Sequence, residues 1–237
     1  MYYTEETMKR PVLIVAAHPD DKVLGCGGTI ARFVQDGRAV HVLLLADGET
    51  SRATGTFAIE PEVLRRRERA ARQAASILGS TIEILAMPDN RMDGLELLEV
   101  VKPIESAIGR IRPSTVLTHH SGDVNIDHRI VHEAVLAACR PQPSHPVHEL
   151  FFFEVPSSTE WRPPSFQSFQ PNLFIDITST LATKMKALEA YADELREFPH
   201  PRSIRAVEAL AHWRGATVGV EAAEAFIVGR QLITGEF

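Results

Sequence analysis

The sequence predicts an α/β fold, namely a Rossmann-like, doubly wound and mostly parallel sheet with helices on both faces. Short, unbroken apolar runs such as Val12–Ala17 and Val40–Ala46 have the composition of parallel strands that are buried on both faces. Segments with helical spacing of apolar residues separate these runs, as crossover helices separate parallel strands. The chain of 237 residues contains no recognisable linker or internal repeat, so residues 1–237 are predicted to form a single domain.

Seven segments are predicted to be strands because they are short, largely apolar and bounded by glycine, proline or polar residues. The polar, proline-bearing segment 156–171 is instead predicted to be a surface loop or flap. In chain order the predicted strands are Val12–Ala17, Val40–Ala46, Thr81–Ala86, Ser114–His119, Val147–Val155, Leu173–Ile177 and Glu224–Leu232.

The predicted helices are bounded by residues that commonly start or stop a helix. Pro61 suits the first turn of a helix, and Gly37 and Gly79 follow helix ends. Pro103 lies inside a helical segment and implies a break or kink there. The first predicted helix follows the glycine turn after the first strand and ends at about Gln35. The next four run from Pro61 to Gly79, from about Leu95 to Ile111, from the region of His128 to about Cys139, and from Ser179 or Thr180 to near Phe198. A last helix begins after a cap at Ser203.

The composition argues against some classes of partner and location. The net charge is −6 and no basic stripe stands out beyond Arg65–Arg67, so nucleic acid is not expected as the main partner. The N-terminus lacks an apolar signal core, and no apolar run approaches membrane-spanning length. Cys26 and Cys139 are the only cysteines, too few for a disulfide framework, and we therefore expect the protein in the reducing cytoplasm.

A histidine and two aspartates follow the first predicted strand, at the strand end where open α/β sheets bind ligands. His18 and Asp21 are three residues apart on a turn, so both can face one metal ion, and their nitrogen and oxygen donors suit zinc. Asp20 lies between them and is left to face a metal-bound water molecule. The alternative is that one aspartate caps the next helix and His18 is a buried, hydrogen-bonded residue. A single cap, however, leaves the other carboxylate and the histidine unexplained.

A second polar stretch, residues 119–128, follows the fourth predicted strand and should face the first stretch across the same edge of the sheet. His128 stands at the start of a helix and is the candidate for the third ligand of a catalytic zinc site. Asp127 is then the carboxylate that orients or tunes a neighbouring histidine. The alternative is that Asp127 caps the helix and His128 is exposed.

The segment from His18 to Gly28, His-Pro-Asp-Asp-Lys-Val-Leu-Gly-Cys-Gly-Gly, resembles the signature of the LmbE-like (PIG-L) zinc-dependent N-acetyl-sugar deacetylases. The pair Asp127-His128 is similar to the second motif of that family, whose final histidine binds zinc. The resemblance implies an LmbE-like domain that binds one Zn²⁺ per chain through His18, Asp21 and His128. It also implies a metal-dependent hydrolase that acts on a linear amide C–N bond.

Two residues depart from the family pattern. Lys22 stands where many members carry a glutamate, and a lysine cannot accept a hydrogen bond from a ligand histidine. Asn125 stands where many members carry a histidine that stabilises the transition state or donates a proton. An asparagine can donate a hydrogen bond to an oxyanion but supplies no proton. For the general acid we prefer His200, which is held between two prolines, over His120, and Asp20 acting as both base and acid is the third alternative.

In this family an arginine after the second strand and an aspartate after the third contact the sugar or its phosphate. Arg52 and Asp93 hold these positions by resemblance, although for each of them an exposed loop residue is an equal alternative. The predicted substrate-binding residues are Arg52, Asp93, His120 and Asn125, and the predicted catalytic residues are Asp20, Asp127 and His200.

The predicted function is removal of the acetyl group from an N-acetylated amino sugar or its conjugate, such as a sugar nucleotide, glycolipid or thiol precursor. The products are acetate and a free amine. The sequence leaves open which small-molecule sugar is the substrate and whether the chain forms a homo-oligomer.

Two other classes of protein compete with this prediction. A nucleotide-binding Rossmann module, such as a dehydrogenase, would use Asp47 at the end of the second strand for a ribose. Two observations argue against a nucleotide-binding module. Gly25 comes eight residues after the first strand rather than directly at its end, and two aspartates at the turn would repel a pyrophosphate. A catalytically inactive relative that only binds a ligand is kept open by Lys22 and Asn125.

Overall fold

A computed structural model of the protein describes residues 10–48, 61–163 and 167–233. Seven strands form one sheet in the spatial order β3-β2-β1-β4-β5-β7-β6. Neighbouring strands from β3 to β5 run parallel, and β7 is antiparallel to both β5 and β6. The strands are β1 (Val12–Ala16), β2 (Val40–Ala46), β3 (Thr81–Met87), β4 (Thr115–His119), β5 (Glu149–Phe153), β6 (Leu173–Asp176) and β7 (Ala223–Gln231).

Helices cover both faces of this sheet, which confirms the predicted doubly wound α/β architecture. Along β1, Val12 and Ile14 pack into one hydrophobic cluster while Leu13 and Val15 pack into the other, because successive side chains of a strand point to opposite faces. The helices are α1 (Asp21–Gln35), α2 (Pro61–Leu78), α3 (Leu97–Ile111), α4 (Ile126–Ala138), α5 (Leu181–Glu189) and α6 (Ile204–Ala216). Within the described ranges, none of these helices has the length and apolar character needed to cross a membrane.

The order of the strands reverses beside β1, and this reversal positions the candidate site. The chain leaves β1 towards β2 and β3 on one side, then returns to β4 on the other side. Because β1 and β4 are parallel neighbours, the loops that follow them diverge at the same edge of the sheet and leave a crevice between them. The two predicted motifs follow these two strands.

Two predicted helices differ from the observed ones. α3 runs unbroken through Pro103, because its buried stripe, which includes Val100, Ile104 and Ile108, holds it against the sheet. α5 ends at Glu189 and does not continue to Phe198. Its last turn closes with bonds between residues three apart, after which the chain turns inwards and buries Tyr191.

Helix α1 has a kink at Cys26, whose φ of −148° and ψ of 24° are not helical. The glycines around it allow neighbouring segments to come unusually close. A Cβ atom on Gly25 would lie 2.4 Å from Phe153 Cδ2, and one on Gly28 would lie 2.7 Å from Ile177 Cδ1. The glycine-rich part of the first motif therefore serves close packing of α1 against the sheet.

The backbone N–H groups at this kink already have an anionic partner from the protein. The carboxylate of Glu224 accepts hydrogen bonds from the N–H groups of Gly28 (3.0 Å) and Thr29 (2.7 Å). The Nζ of Lys184 in turn binds Glu224 at 2.6 Å. A phosphate-binding loop needs such N–H groups free to face a ligand. The N–H groups of Gly28 and Thr29 are thus not available for the nucleotide that a dehydrogenase would bind.

Replacing Gly28 with alanine should lower the free energy of unfolding by about 1–3 kcal/mol, because the added methyl group would overlap Ile177 in a packed core. The matched control is Gly109→Ala in α3, where no atom lies within 4 Å of the added methyl group. That change should raise stability by up to about 1 kcal/mol, since alanine favours helices. Urea denaturation measures both effects, and equal values for the two variants would contradict the packing argument.

Candidate metal centre

Three side chains from the two motifs converge at the crevice between β1 and β4. His18 follows β1, Asp21 is the first residue of α1, and His128 lies in the first turn of α4. His18 Nδ1, Asp21 Oδ2 and His128 Nε2 form a triangle whose three sides are all 3.2 Å. Tetrahedral ligands about 2.0–2.1 Å from a zinc ion are about 3.3–3.4 Å apart. The spacing therefore fits three ligands of one small divalent ion.

The burial of this triangle also indicates a bound cation. All three residues are buried, and Asp21 Oδ1 has no hydrogen-bond partner among the described residues. The other carboxylate oxygen, Oδ2, accepts a hydrogen bond from the backbone N–H of His18 at 2.7 Å. A buried carboxylate oxygen without a partner is costly unless a positive charge lies beside it. The donor set thus fits a metal ion.

The electrostatics of the group agree with this interpretation. Burial alone would lower the pKa of His128, but the carboxylates of Asp21 and Asp123 outweigh it and raise the pKa to about 9. The pKa of Asp21 moves the opposite way, because His128 and His18 overcome the effect of burial and hold it well below its usual range. The site therefore favours positive charge, which a metal supplies when it displaces protons from its ligands.

The second nitrogen of His18 faces two further carboxylates. His18 Nε2 lies 3.0 Å from Asp89 Oδ1 and 3.1 Å from Asp127 Oδ2. Asp127 also accepts hydrogen bonds from the N–H groups of Asn90 (2.6 Å) and Met92 (3.0 Å), so its carboxylate is fixed. These contacts give Asp127 the geometry of the orienting carboxylate predicted from the sequence.

His18, Asp89 and Asp127 offer a second group of donor atoms that lie close enough together to hold a metal. We favour the triangle with Asp21 and His128 as the metal centre. Both carboxylate oxygens of Asp127 already accept a hydrogen bond from a backbone N–H, whereas Asp21 Oδ1 is buried without a partner among the described residues. The nearby carboxylates then accept the N–H of the ligand histidine.

Lys22 is fully buried beneath the first motif. It does not take over the contact with a ligand histidine that a glutamate at this position would make. Its Nζ donates hydrogen bonds to the carbonyl oxygen of Pro19 (2.7 Å) and to the hydroxyl of Tyr191 (2.6 Å). Burial lowers the pKa of Lys22 to about 7. The lysine therefore supports the backbone of the His18–Asp21 turn, while Asp127 and Asp89 contact the ligand histidine.

Asp20 lies beside the metal centre and lines a polar cavity. It occupies the position before α1, but its side chain makes no capping hydrogen bond, so the cap interpretation does not describe it. Its Oδ2 accepts a hydrogen bond from Arg202 Nη1 at 3.2 Å. The cavity is lined by His18, Pro19, Asp20, Gly48, Arg67, Asp89, Asn90, Asn125, Glu194 and Arg202.

Asn125 lines the same cavity and is the cap of α4. Its Oδ1 accepts hydrogen bonds from the N–H groups of Asp127 (2.8 Å) and His128 (3.4 Å). Its Nδ2 donates to Asn90 Oδ1 at 2.9 Å, which leaves one amide hydrogen for another acceptor. The alternative in which Asp127 caps the helix and His128 is exposed is therefore wrong, since His128 is buried.

The other predicted site residues lie elsewhere or outside the described part. His120 is buried with its Nε2 2.9 Å from the carbonyl oxygen of Gln167, and it does not line the cavity. His200 also lies outside the cavity lining; its Nδ1 accepts a hydrogen bond from the N–H of Arg202. Asp93 is exposed in a 3-10 turn, and Arg52 lies outside the described residues.

Three residues of the site were not singled out by the sequence analysis. Asp89 lines the cavity where Asp93 was expected, Arg202 contacts Asp20 where His200 was expected, and Asp123 lies 3.1 Å from His128 Nδ1. The signal for Asp89 was present, because it directly follows β3 at the same sheet edge. Arg202 and Asp123 lie within loops that the motifs had already identified.

The fold and the site together define an α/β protein in which a buried group of histidine and aspartate side chains could hold a metal ion beside a polar cavity. The family model of PIG-L, GlcNAc-PI de-N-acetylase, matches residues 13–139, which include all three candidate ligands. This match spans more than half of the chain, and the chain belongs to the PIG-L family.

Several relatives share most of this chain. It is 30% identical over 190 residues to the uncharacterized deacetylase YaiS of Escherichia coli, covering 77% of this chain and 91% of that protein. It is 28% identical to the 4-oxalmesaconate hydratase of Pseudomonas putida (79% and 75% covered) and 29% identical to the diacetylchitobiose deacetylase of Thermococcus kodakarensis (79% and 71%). The crystal structure of TT1542 from Thermus thermophilus superposes with a TM-score of 0.74 at 26% identity, covering 96% of this chain and 98% of that one.

Removing the cap of α4 should destabilise the protein without unfolding it. Asn125→Ala is expected to lower the free energy of unfolding by about 1 kcal/mol, because the N–H groups of Asp127 and His128 lose their acceptor. Asn125→Asp keeps the acceptor and should retain most of the stability. Urea denaturation measures both variants. If alanine and aspartate were equally destabilising, the capping role would be refuted.

Proposed function

We propose that this protein is a zinc-dependent deacetylase that removes the acetyl group from an N-acetylated amino sugar or its conjugate. The observation that carries the proposal is the buried triangle of His18, Asp21 and His128 with the carboxylate of Asp20 beside it at a cavity. Membership of the PIG-L family supports the reaction, as do relatives that are named as deacetylases.

In this proposal different residues at the cavity act in different steps of amide hydrolysis. A zinc ion held by the three donors would polarise the acetyl carbonyl and acidify a water molecule. Asp20 accepts a proton from the attacking water while the water oxygen bonds to the acetyl carbon. The free amide hydrogen of Asn125 can be donated to the carbonyl oxygen as it gains negative charge. The C–N bond then breaks to give acetate, and the leaving amine takes up a proton.

In this proposal Asp20 also donates the proton that the leaving amine takes up. Among His120, His200 and Asp20, which were the three candidates, only Asp20 lines the cavity. A carboxylate that has just accepted a proton from water can return it to the leaving nitrogen, so one group serves both steps. Arg202 binds Asp20 and keeps its carboxylate at the cavity wall. His200 can influence this step through the loop that it shares with Arg202.

The cavity lining also suits a small polar substrate. Carboxylate, amide and guanidinium groups of Asp89, Asn90 and Arg202 offer acceptors and donors for sugar hydroxyl groups. We propose Asp89 for the contact that was expected of Asp93, and Arg52 keeps its proposed role. A cytoplasmic location is in keeping with the free, buried thiols of Cys26 and Cys139.

Protein purified without chelator should contain about one zinc ion per chain, as expected for a site with three ligands and an open position. His18→Ala and His128→Ala should lose most of this zinc, because each removes one of the three donors. His212→Ala is the control, since that histidine lies in α6 and its Nδ1 is only 2.9 Å from a backbone oxygen. Elemental analysis of the folded proteins measures the content. Wild-type zinc levels in both ligand variants would refute the assignment.

Wild-type protein should release acetate from at least one N-acetyl sugar or N-acetyl sugar conjugate, and Asp20→Asn should keep zinc but lose about a hundredfold or more of this activity. Asp36→Asn makes the same chemical change at an exposed carboxylate beyond the end of α1 and should leave the activity unchanged. A coupled acetate assay measures all three proteins. Hydration of 4-oxalmesaconate, followed by ultraviolet absorbance in parallel, would instead favour the reaction named for the Pseudomonas relative.

A further inference from the structure

The imidazole of His128 has a carboxylate beside the ring nitrogen that faces away from the metal centre. Its Nδ1 lies 3.1 Å from Asp123 Oδ2, and both side chains are almost completely buried. Asp123 also accepts a hydrogen bond from the N–H of Asn125 at 2.8 Å. A carboxylate on the outer nitrogen of a ligand histidine fixes its ring orientation and raises its basicity. Asp127 has the corresponding position at the other ligand histidine, where its Oδ2 lies 3.1 Å from His18 Nε2.

The carboxylate of Asp123 is in turn fixed by a short loop that follows β5. This loop consists of Ser157, Ser158 and Thr159, and we call it the brace loop. The hydroxyl of Ser158 donates a short hydrogen bond to Asp123 Oδ1, and the hydroxyl of Thr159 donates to Oδ2 at 2.7 Å. Both residues are buried. Asp123 is thus held by two side-chain donors in addition to the backbone N–H of Asn125.

The first residue of the brace loop reaches the other half of the site. Ser157 Oγ accepts a hydrogen bond from Arg202 Nε at 2.5 Å, and Arg202 Nη1 donates to Asp20 Oδ2 at 3.2 Å. Consecutive residues of one loop therefore contact Asp123, which faces the third metal ligand, and Arg202, which binds the proposed base.

The conformation of the brace loop is itself tightly held. Ser157 has a φ of 68°, in the left-handed region that non-glycine residues seldom occupy. The carboxylate of Glu160 compensates by accepting hydrogen bonds from two consecutive N–H groups, those of Ser157 (2.7 Å) and Ser158 (3.2 Å). A residue kept in such a conformation by surrounding contacts is typical of a functional site.

We propose that the brace loop positions the metal ligand and the base through two separate branches. Ser158 and Thr159 act through Asp123 on His128 and so on zinc affinity. Ser157 acts through Arg202 on Asp20 and so on the rate of proton transfer. These are positioning residues, since they contact neither the metal nor the cavity directly. The proposal rests on the metal centre and the base of the proposed function.

The experiment measures zinc affinity and acetate release separately. Zinc affinity, from competition with a chromophoric chelator, should fall about 10- to 100-fold in Asp123→Asn. Thr159→Val should weaken zinc binding in the same direction by several-fold, and Thr159→Ser, which keeps the hydroxyl, should restore it. Ser157→Ala should keep wild-type zinc affinity while lowering kcat several-fold with little change in KM.

Several results would overturn the proposal. If Asp123→Asn and Thr159→Val bound zinc as tightly as wild type and only unfolded at lower urea concentration, the brace loop would be structural alone. If Ser157→Ala weakened zinc binding as much as Asp123→Asn, the two branches would not be separate. Because zinc affinity is measured without substrate, a protein that binds zinc but deacetylates no sugar would refute the proposed function and still test the zinc branch. A wild-type protein that binds no zinc would refute both.

Discussion

The burial of the Asp21 carboxylate is the constraint on which the rest of the site depends. A charged group removed from water needs a compensating charge and hydrogen bonds, or it destabilises the fold by several kcal/mol. Asp21 finds these in the imidazoles of His18 and His128 and in one backbone N–H, yet one of its oxygens still has no hydrogen-bond partner in the described structure. A divalent ion held by these donors would complete this arrangement and would link metal binding to the local fold.

The sheet topology makes this arrangement possible because it joins residues that are far apart in sequence. His18 follows β1 and His128 follows β4, and the two strands are hydrogen-bonded neighbours. His119, the last residue of β4, adds a side-chain link between the ends of the two strands. Its Nε2 accepts a hydrogen bond from the N–H of Ala17 at 2.9 Å. Its ring also stacks on that of His128, with centroids 3.9 Å apart. The end of β4 is thus linked both to the segment before His18 and to the ring of His128.

The residues that depart from the family signature are accommodated by the surrounding structure. Lys22 cannot accept a hydrogen bond from a ligand, but it supports the Pro19 carbonyl together with Tyr191, and the carboxylates of Asp127 and Asp89 face His18. Asn125 caps α4 through its side-chain oxygen and donates one amide hydrogen to Asn90 Oδ1. Neither departure removes a candidate metal ligand, so an inactive relative is not required to explain them.

The sequence alone determined the sheet class and most element boundaries, because strand periodicity and turn spacing are local properties. The grouping of His18 and Asp21 with the distant His128 came from the shared sheet edge that this class predicts and from the resemblance of the two motifs to a known family. Only the tertiary structure decided which of several aspartates faces which histidine. Asp89 lines the cavity in place of Asp93, Asp127 contacts His18, and Asp123 contacts His128, since loop paths over a sheet edge depend on contacts between distant segments. The same reason applies to Arg202, which meets Asp20 across 182 positions, and to α5, which ends where Tyr191 packs beneath the first motif.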